Sequence, residues 1–226
     1  MLNIGVLVSG GGTNLQVLMD AEKRGEIPDG KISLVVSSRK DAYALQRATD
    51  GGIPTVVCAR KDYGSIVQYS NALIQLLRAQ NIDLVVMAGF LTITSPDFVA
   101  AFPNRIINVH PALLPAFGGK GCYGLRVHEK ALARGVKITG ATVHFVNEIC
   151  DGGPIILQKA VMVQPKDTPE ALQKRVMEEA EWVLLPKAVA LFCQGRLRVS
   201  EGRVLVTELP AAKMRSASAA QAETNP

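Results

Sequence analysis

The chain has 226 residues, 48% hydrophobic and 20% charged, which is enough for one domain with a large core or for two small lobes. Its net charge of +5 suits anionic small molecules, and without basic runs interleaved with aromatic residues it does not indicate a nucleic-acid-binding surface. No apolar run reaches the ~18 residues that cross a bilayer, and the amino terminus lacks a secretory signal pattern. We therefore predict a cytoplasmic enzyme with small-molecule substrates and no membrane or nucleic-acid partner.

The first half of the chain alternates apolar strand patterns with helical patterns. Strands are predicted at residues 4–8, 32–36, 55–57, 83–88 and 105–109, and helices at 14–23, 41–50, 66–79 and 96–101. Asp41 is the predicted N-cap of the second helix. Continuous apolar strands separated by helices indicate a parallel sheet covered on both faces, and ligands bind such sheets beyond the carboxyl ends of the strands.

The second half predicts a different organisation. Strands at 138–146 and 155–163 have no helix between them, so we expect them to pair antiparallel around Asp151. A glycine-rich loop at 117–125 precedes a short helix at 128–133, with His128 as its cap or a surface residue. Thr168 caps a long helix that runs to about residue 192, and a hairpin follows at 196–200 and 203–207. The fold class is therefore α/β: a doubly wound, mostly parallel, Rossmann-like sheet with an antiparallel C-terminal extension.

Three polar residues carry the chemistry. Asn108 and His110 lie two apart at the end of a strand, so their side chains share one face. Asp151 follows about 40 residues later in a glycine-rich turn. An amide donor, an imidazole and a carboxylate can together stabilise an oxyanion and move a proton.

The segment Ser9-Gly-Gly-Gly-Thr-Asn14 joins the first strand to the first helix. Its glycines let the backbone approach a ligand, and the free N–H groups at the helix start attract phosphate. A dinucleotide site would need a further glycine where Leu15 stands. Arg39 and Lys40 could nevertheless hold a 2′-phosphate, so an NADP reductase remains an alternative. No Gly-Lys-Ser or Gly-Lys-Thr follows, which excludes a Walker loop.

A metal site is not predicted. The cysteines Cys58, Cys122, Cys150 and Cys193 are scattered without a Cys-x-x-Cys pair, and the chain has only three histidines. We expect reduced thiols, and no metal cofactor.

Several motifs resemble the glycinamide ribonucleotide branch of the folate-dependent formyltransferases, along nearly the whole chain to about residue 200. The resemblance rests on Ser9-Gly-Gly-Gly-Thr-Asn14, Met87-Ala-Gly-Phe-Leu91, Asn108-Val-His-Pro-Ala-Leu-Leu-Pro115, Thr142-Val-His-Phe-Val146 and Asp151-Gly-Gly-Pro-Ile-Ile-Leu-Gln158. It implies one domain at 1–209, with a nucleotide-binding half (1–109) and a folate-binding half (110–209). From about residue 210 to 226 the composition predicts a disordered tail.

The resemblance also implies a reaction, in which 10-formyltetrahydrofolate is the co-substrate and an amine attacks its formyl carbon directly. Asn108 and protonated His110 would stabilise the oxygen that becomes negative. Asp151 would hold a water and favour the cationic imidazole, after which a proton moves from the amine to the departing folate nitrogen. No metal and no covalent intermediate is implied.

The resemblance further assigns two binding surfaces. The ribonucleotide surface comprises Gly12, Thr13, Asn14, Gly89, Pro111 and Glu181, with Glu178 or Glu179 as alternatives to Glu181 because the alignment needs a one-residue insertion there. The folate surface comprises Leu91, Thr92, Ile93, Thr94, Asn108, Val146, Asn147, Glu148, Ile149 and Cys150.

Two departures from the family and some alternatives stay open. Ile66 stands where the family often carries an arginine near the folate tail, and Arg60 or Lys61 could replace it. The loop 116–124 is longer than in short bacterial forms, with Lys120 or Tyr123 expected near the phosphate. A sister formyltransferase, a hydrolase of the same folate and a non-catalytic nucleotide-binding module are the other candidates, and the protein is a monomer or a homodimer.

Overall fold

A single sheet organises the protein. The computed structural model describes residues 1–208, and its seven strands lie in the order β3-β2-β1-β4-β5-β6-β7. They are β1 (Leu2–Val8), β2 (Gly30–Ser37), β3 (Thr55–Val57), β4 (Leu84–Met87), β5 (Ile106–His110), β6 (Ile138–Phe145) and β7 (Ile155–Met162). The first five are parallel, while β6 and β7 are antiparallel to their neighbours. The predicted fold class is confirmed.

Helices cover both faces of the sheet. They are α1 (Thr13–Lys23), α2 (Tyr43–Asp50), α3 (Ile66–Ala79), α4 (Pro96–Ala101), α5 (Leu125–Arg134), α6 (Pro169–Val176) and α7 (Trp182–Cys193), with a 3₁₀ turn at Arg60–Asp62. The core therefore has two layers. Side chains alternate along a strand, so in β1 Val6 and Val8 belong to the core layer that includes residues of α1, α2, α6 and α7, whereas Leu7 belongs to the layer that includes residues of α3 and α4. Within residues 1–208, none of the helices is long and apolar enough to cross a membrane.

Two local predictions were wrong. Asp41 does not cap α2, whose N-cap is Ala42, because the carboxylate of Asp41 accepts hydrogen bonds from Arg39 at 3.0 and 2.6 Å. His128 is neither a cap nor a surface residue. Helix α5 begins three residues earlier than predicted, at Leu125, and this register turns His128 fully into the interior.

The C-terminal elements follow the prediction closely. Thr168 caps α6 by accepting a hydrogen bond from the N–H of Ala171 at 3.2 Å. Strands β8 (Leu197–Ser200) and β9 (Arg203–Val206) form the antiparallel hairpin. The tail prediction, from about residue 210 to 226, lies outside the described residues. The division at residue 109 stays a prediction, although the seven-stranded sheet is continuous across it.

A π-helical turn at Met177–Glu181 separates α6 from α7. A π-helical turn accommodates an additional residue within an otherwise α-helical segment. Such a turn accounts structurally for the one-residue insertion that the resemblance to the family requires near Glu181. It also decides which acid points inward, because Glu178 and Glu179 are exposed while Glu181 is buried.

Candidate active site

The carboxyl ends of β1, β4 and β5 meet at one edge of the sheet, as predicted. β4 pairs with β1 on one side and with β5 on the other, so the segments that follow these three strands are neighbours. They are residues 9–14, here called the glycine loop, residues 89–95, called the pocket loop, and the end of β5 with Asn108 and His110. The strand-end cluster consists of Asn108, His110, His144 and Asp151.

His110 lies between two acceptors. Its Nε2 is 2.9 Å from the carbonyl oxygen of Phe117, and its Nδ1 is 3.5 Å from Oδ2 of Asp151. Because a carbonyl only accepts, Nε2 carries the hydrogen. In the neutral ring Nδ1 then holds a lone pair, and that nitrogen faces Asp151. No sequence motif indicates Phe117, because it contributes a backbone carbonyl and not a side chain.

Asn108 is held by a histidine on the neighbouring strand. β5 and β6 are antiparallel with Asn108 directly opposite His144, and Nδ2 of Asn108 lies 3.2 Å from Nε2 of His144. Nδ1 of His144 lies 2.8 Å from the carbonyl oxygen of Phe145 and donates to it, which leaves Nε2 as the acceptor. One N–H of the Asn108 amide is therefore used, and the other remains for a ligand. In the sequence His144 stands out only as part of the Thr142-Val-His-Phe-Val146 motif, which does not reveal this partner.

Asp151 connects the cluster to two loops. It has a positive φ of 55°, in the turn between β6 and β7. Its Oδ2 accepts a hydrogen bond from the N–H of Gly119 at 2.8 Å, and its Oδ1 lies 3.7 Å from Nε2 of His144. The turn needs glycine at Gly153, where a Cβ would overlap the carbonyl oxygen of Phe145.

Burial and charge act in opposite directions on the two central groups. Burial lowers the pKa of His110 below its ordinary value, although the Asp151 carboxylate and the Phe117 carbonyl both act to raise it. Burial raises the pKa of Asp151, but its contacts with His144, His110 and the Gly119 N–H outweigh burial, so this pKa is lowered. The expectation that Asp151 favours the imidazolium has the right sign, yet burial prevails and the free protein favours the neutral ring.

The glycine loop presents backbone groups at the start of α1. Its N-cap is Gly12, with a φ of 73°, and no side chain caps the helix. A Cβ at Gly12 would lie 2.6 Å from Cβ of Ala44 in α2, so the loop also needs glycine for close packing. Free N–H groups at a helix start form a phosphate site. Thr13 is half-buried, and Asn14 is buried with its Oδ1 lacking a hydrogen-bond partner within residues 1–208.

Glu181 reaches the glycine loop from the π-helical turn. Nδ2 of Asn14 donates to Oε2 of Glu181 at 2.7 Å, across 167 residues of sequence. Burial raises the pKa of Glu181, and the hydrogen bond from Asn14 only partly opposes it. An unpaired amide oxygen and a buried carboxylate side by side can together bind hydroxyl groups, which donate to both.

The predicted folate surface is apolar and open. Leu91 is 59% exposed, Ile93 66% and Ile149 68%, whereas Val146 is half-buried against the core. Large exposed apolar side chains in neighbouring loops mark a surface that binds a partner or ligand. The other predicted members lie in the same two loops: Thr92 and Thr94 half-buried in the pocket loop, and Asn147, Glu148 and Cys150 in the turn before Asp151.

The remaining predicted residues have the following places. Gly89 lies two residues after β4, at the start of the pocket loop, with a φ of 71°, and Pro111 follows His110 directly. Ile66 begins α3, and Arg60 lies in the preceding 3₁₀ turn with Nη1 donating to the carbonyl of Tyr63 at 2.7 Å. Lys120 lies in the 116–124 loop, in which Gly119 contacts Asp151.

A buried serine joins the glycine loop to the pocket loop, and the sequence does not indicate this contact. Oγ of Ser9 accepts a hydrogen bond from the N–H of Leu91 at 2.9 Å and lies 2.7 Å from Oγ of Ser38. Ser9 begins the glycine loop, whereas Leu91 belongs to the pocket loop. The two loops therefore share one hydroxyl. The sequence shows no periodic signal for a contact across 82 residues.

Within residues 1–208, no group of three or more His, Cys, Asp or Glu side chains is arranged to hold a metal ion. The four cysteines are all free thiols, two of them buried. Burial raises the pKa of the Cys150 thiol, with Asp151 acting in the same direction. Cys150 is therefore not an activated thiolate at neutral pH.

Comparison with known proteins gives consistent results. Residues 2–189 match the family described as formyl transferase. The chain is 40% identical over 201 residues to a phosphoribosylglycinamide formyltransferase of Haemophilus influenzae, covering 89% of this chain and 92% of that protein. A crystal structure of glycinamide ribonucleotide transformylase 1 from Symbiobacterium toebii superposes with a TM-score of 0.87 and 44% identity, covering 92% and 95% of the two chains. A crystal structure of phosphoribosylglycinamide formyltransferase from Anaplasma phagocytophilum superposes with a TM-score of 0.82 and 38% identity, covering 92% of this chain and 96% of that chain.

Proposed function

The chain belongs to the formyl transferase family, and we propose that it transfers the formyl group of 10-formyltetrahydrofolate to the amine of glycinamide ribonucleotide, in purine biosynthesis. The observation that carries the proposal is the position of His110. It lies with Asp151 and Asn108 at the sheet edge where the glycine loop and the pocket loop meet. Membership of this family also argues against the NADP reductase. Arg39, which that alternative assigns to a 2′-phosphate, instead pairs with Asp41.

The two loops divide the substrates between them. The glycine loop holds the phosphate of the ribonucleotide through the N–H groups of Gly12, Thr13 and Asn14, because a helix start attracts anions. Glu181 and Asn14 accept from the ribose hydroxyls. Gly89 and Pro111 border the ribonucleotide between this site and the cluster.

The pocket loop and the turn before Asp151 hold the folate. Leu91, Ile93 and Ile149 are exposed apolar groups, which fit the flat ring of a pterin and its attached aromatic ring. Thr92, Thr94 and Val146, with residues 147–150, complete the surface. This arrangement brings the formyl group next to Asn108 and His110.

His110 moves the proton. As the amine attacks the formyl carbon, Nδ1 of the neutral ring accepts the proton that the amine loses. The resulting imidazolium has a hydrogen on each nitrogen, and each faces an acceptor: Phe117 at Nε2 and Asp151 at Nδ1. Nδ1 then gives the proton to the folate nitrogen as the carbon–nitrogen bond breaks. One bond forms, one breaks and one proton moves, so the balance closes without a metal.

Asn108 stabilises the oxygen. The N–H that is not bonded to His144 donates to the formyl oxygen as negative charge develops there. Removing one such donor typically lowers the rate by about 10²-fold or more. His144 and the carbonyl of Phe117 are positioning groups, because each fixes the orientation of a side chain that touches the substrate.

A two-substrate assay tests the proposal. Purified protein is given 10-formyltetrahydrofolate with and without glycinamide ribonucleotide, and tetrahydrofolate and formate are measured. We expect tetrahydrofolate only when the ribonucleotide is present, and no formate. Formate release without the ribonucleotide would indicate a hydrolase, and turnover with other amines a sister formyltransferase. Ribonucleotide binding without turnover would contradict the proposal and favour a non-catalytic module.

A further inference from the structure

Arg47 of α2 contacts the side of the glycine loop that faces α2, and it has no role in the reaction proposed above. Its Nε donates to the carbonyl oxygen of Gly11 at 2.9 Å. Its Nη1 donates to Oε1 of Gln16 in α1 at 3.1 Å, and its guanidinium lies 5.0 Å from the centre of the Tyr43 ring. Arg47 is half-buried, so the ring and the two acceptors fix its orientation.

The contact with Gly11 determines which way a peptide unit points. The C=O of Gly11 and the N–H of Gly12 belong to one planar trans peptide, so they point in opposite directions. Since α2 holds the carbonyl, the N–H of Gly12 points away from α2. The preceding carbonyl, of Gly10, is held in the same way by the N–H of Ala44 at 3.1 Å. Helix α2 therefore binds two successive carbonyls of the loop.

Glycine makes this control necessary. Gly10, Gly11 and Gly12 form a run whose peptide units can rotate more freely than those of other residues. Helix α1 has no side-chain cap that would otherwise fix its first N–H groups. The loop needs an external constraint, and Arg47 supplies a charged donor, whose hydrogen bonds are stronger than neutral ones.

The positive charge of Arg47 also favours an anion at the start of α1. Both hydrogen-bond partners of Arg47 are neutral groups, so its guanidinium places a positive charge beside the helix start. The buried Oδ1 of Asn14, without a partner within residues 1–208, leaves an acceptor at this end of the loop that a ligand donor can satisfy.

We propose that Arg47 is a positioning residue for phosphate recognition: it holds the Gly11 carbonyl so that the N–H of Gly12 faces the phosphate of the substrate. The inference rests on the proposed function for the identity of the substrate, although phosphate binding itself is separable from formyl transfer. Arg47 acts through the loop and does not touch the reacting atoms.

Arg47→Met is the principal variant, because it keeps the stem of the side chain and removes both donors. Losing a charged hydrogen bond should raise KM for glycinamide ribonucleotide about 20-fold, with kcat and KM for the folate changing by less than about threefold. Arg78→Met, an exposed arginine near the end of α3, is the matched control and should equal the wild type. Arg47→Lys retains charge without the planar donors and should recover only a small part of the loss.

Two further probes separate phosphate binding from catalysis and from stability. Ribose 5-phosphate binding is measured by calorimetry and should weaken about 20-fold in Arg47→Met, whereas glycinamide riboside, which lacks the phosphate, should be used equally well by both proteins. Wild type that binds ribose 5-phosphate but transfers no formyl group would refute the proposed function and leave this inference standing.

Three results would overturn the inference. They are Arg47→Met behaving like Arg78→Met, Arg47→Lys restoring full affinity, and both KM values rising together with a fall in Tm. The last would indicate a merely structural role. Arg47→Lys keeps these comparisons possible if Arg47→Met does not fold.

Discussion

The glycine loop and the strand-end cluster lie at the same edge of the sheet but use opposite means. The glycine loop offers backbone N–H groups, has no ionisable side chain of its own between residues 9 and 14, and is held from behind by α2. In the cluster, His110 and Asp151 each shift the pKa of the other. The first arrangement suits recognition of a fixed charge, and the second suits a charge that changes during the reaction. Substitutions that disturb the glycine loop should therefore change mainly KM, and substitutions in the cluster should change mainly kcat.

The largest effect is expected at Asp151. Asp151→Asn removes the carboxylate that faces Nδ1 of His110, and kcat should fall about 10³-fold, within the range for general acid–base groups. KM for the ribonucleotide should change little. Steady-state kinetics with Glu129→Gln, an exposed acid in α5, as control would measure this. An unchanged kcat would remove Asp151 from the mechanism.

The strand-end cluster should also determine how kcat depends on pH. His110 must be neutral to accept a proton, and burial lowers its pKa, so kcat should fall only at pH values below the ordinary histidine range. Because Asp151 acts to raise that pKa, Asp151→Asn should move the residual acid limb to lower pH. A limb that moves to higher pH would contradict this assignment. KM for the ribonucleotide should follow the ionisation of its phosphate.

Asn108→Ala should lower kcat by about 10²-fold, because one donor to the developing oxyanion is lost. His144→Leu, which removes only the partner of that amide, should have a smaller effect in the same direction. Single-turnover rates at saturating substrates would compare the two variants. If His144→Leu proved as severe as Asn108→Ala, His144 would have a direct role in the cluster.

His128, buried in α5, should make the free energy of unfolding depend on pH. Burial lowers its pKa from 6.5 to about 4, with His110 acting in the same direction. Protonation therefore favours the unfolded chain, so the stabilisation is complete above pH 6.5 and is lost as pH falls toward 4. From pH 7 to pH 5 this loss is about 2 kcal/mol.

His128→Phe should remove that component. Urea unfolding of both proteins at pH 7 and pH 5 measures the difference in their pH responses. Equal pH responses would mean that His128 does not titrate as its burial predicts.

The smallest effect is expected at Ser9, which belongs to the glycine loop yet bonds to the pocket loop. Ser9→Ala leaves the N–H of Leu91 without its acceptor and should raise KM for the folate about fivefold, roughly the value of one neutral hydrogen bond. KM for the ribonucleotide should change less. The opposite order would show that Ser9 serves only the loop in which it lies. Ser33→Ala, at a half-buried position in β2, is a suitable control.

The sequence determined much of this protein by itself. Continuous apolar runs and helical patterns are local, so the parallel sheet, the antiparallel extension and the hairpin followed from them. Asn108 and His110 could be paired because side chains two apart on a strand share a face. The glycine run and the turn at Asp151 were visible as motifs. Each of these inferences depends on neighbours in the chain.

Only the tertiary structure decided the rest, because the contacts join distant segments or involve backbone atoms. The carbonyl of Phe117 fixes the tautomer of His110, and no side-chain pattern encodes it. Asn14 and Glu181 meet across 167 residues, through a π-helical turn that selects one acid of three. The net pKa direction of His110 depends on burial against two opposing contacts. Periodicity carries no information about such distances, and packing sets all of them.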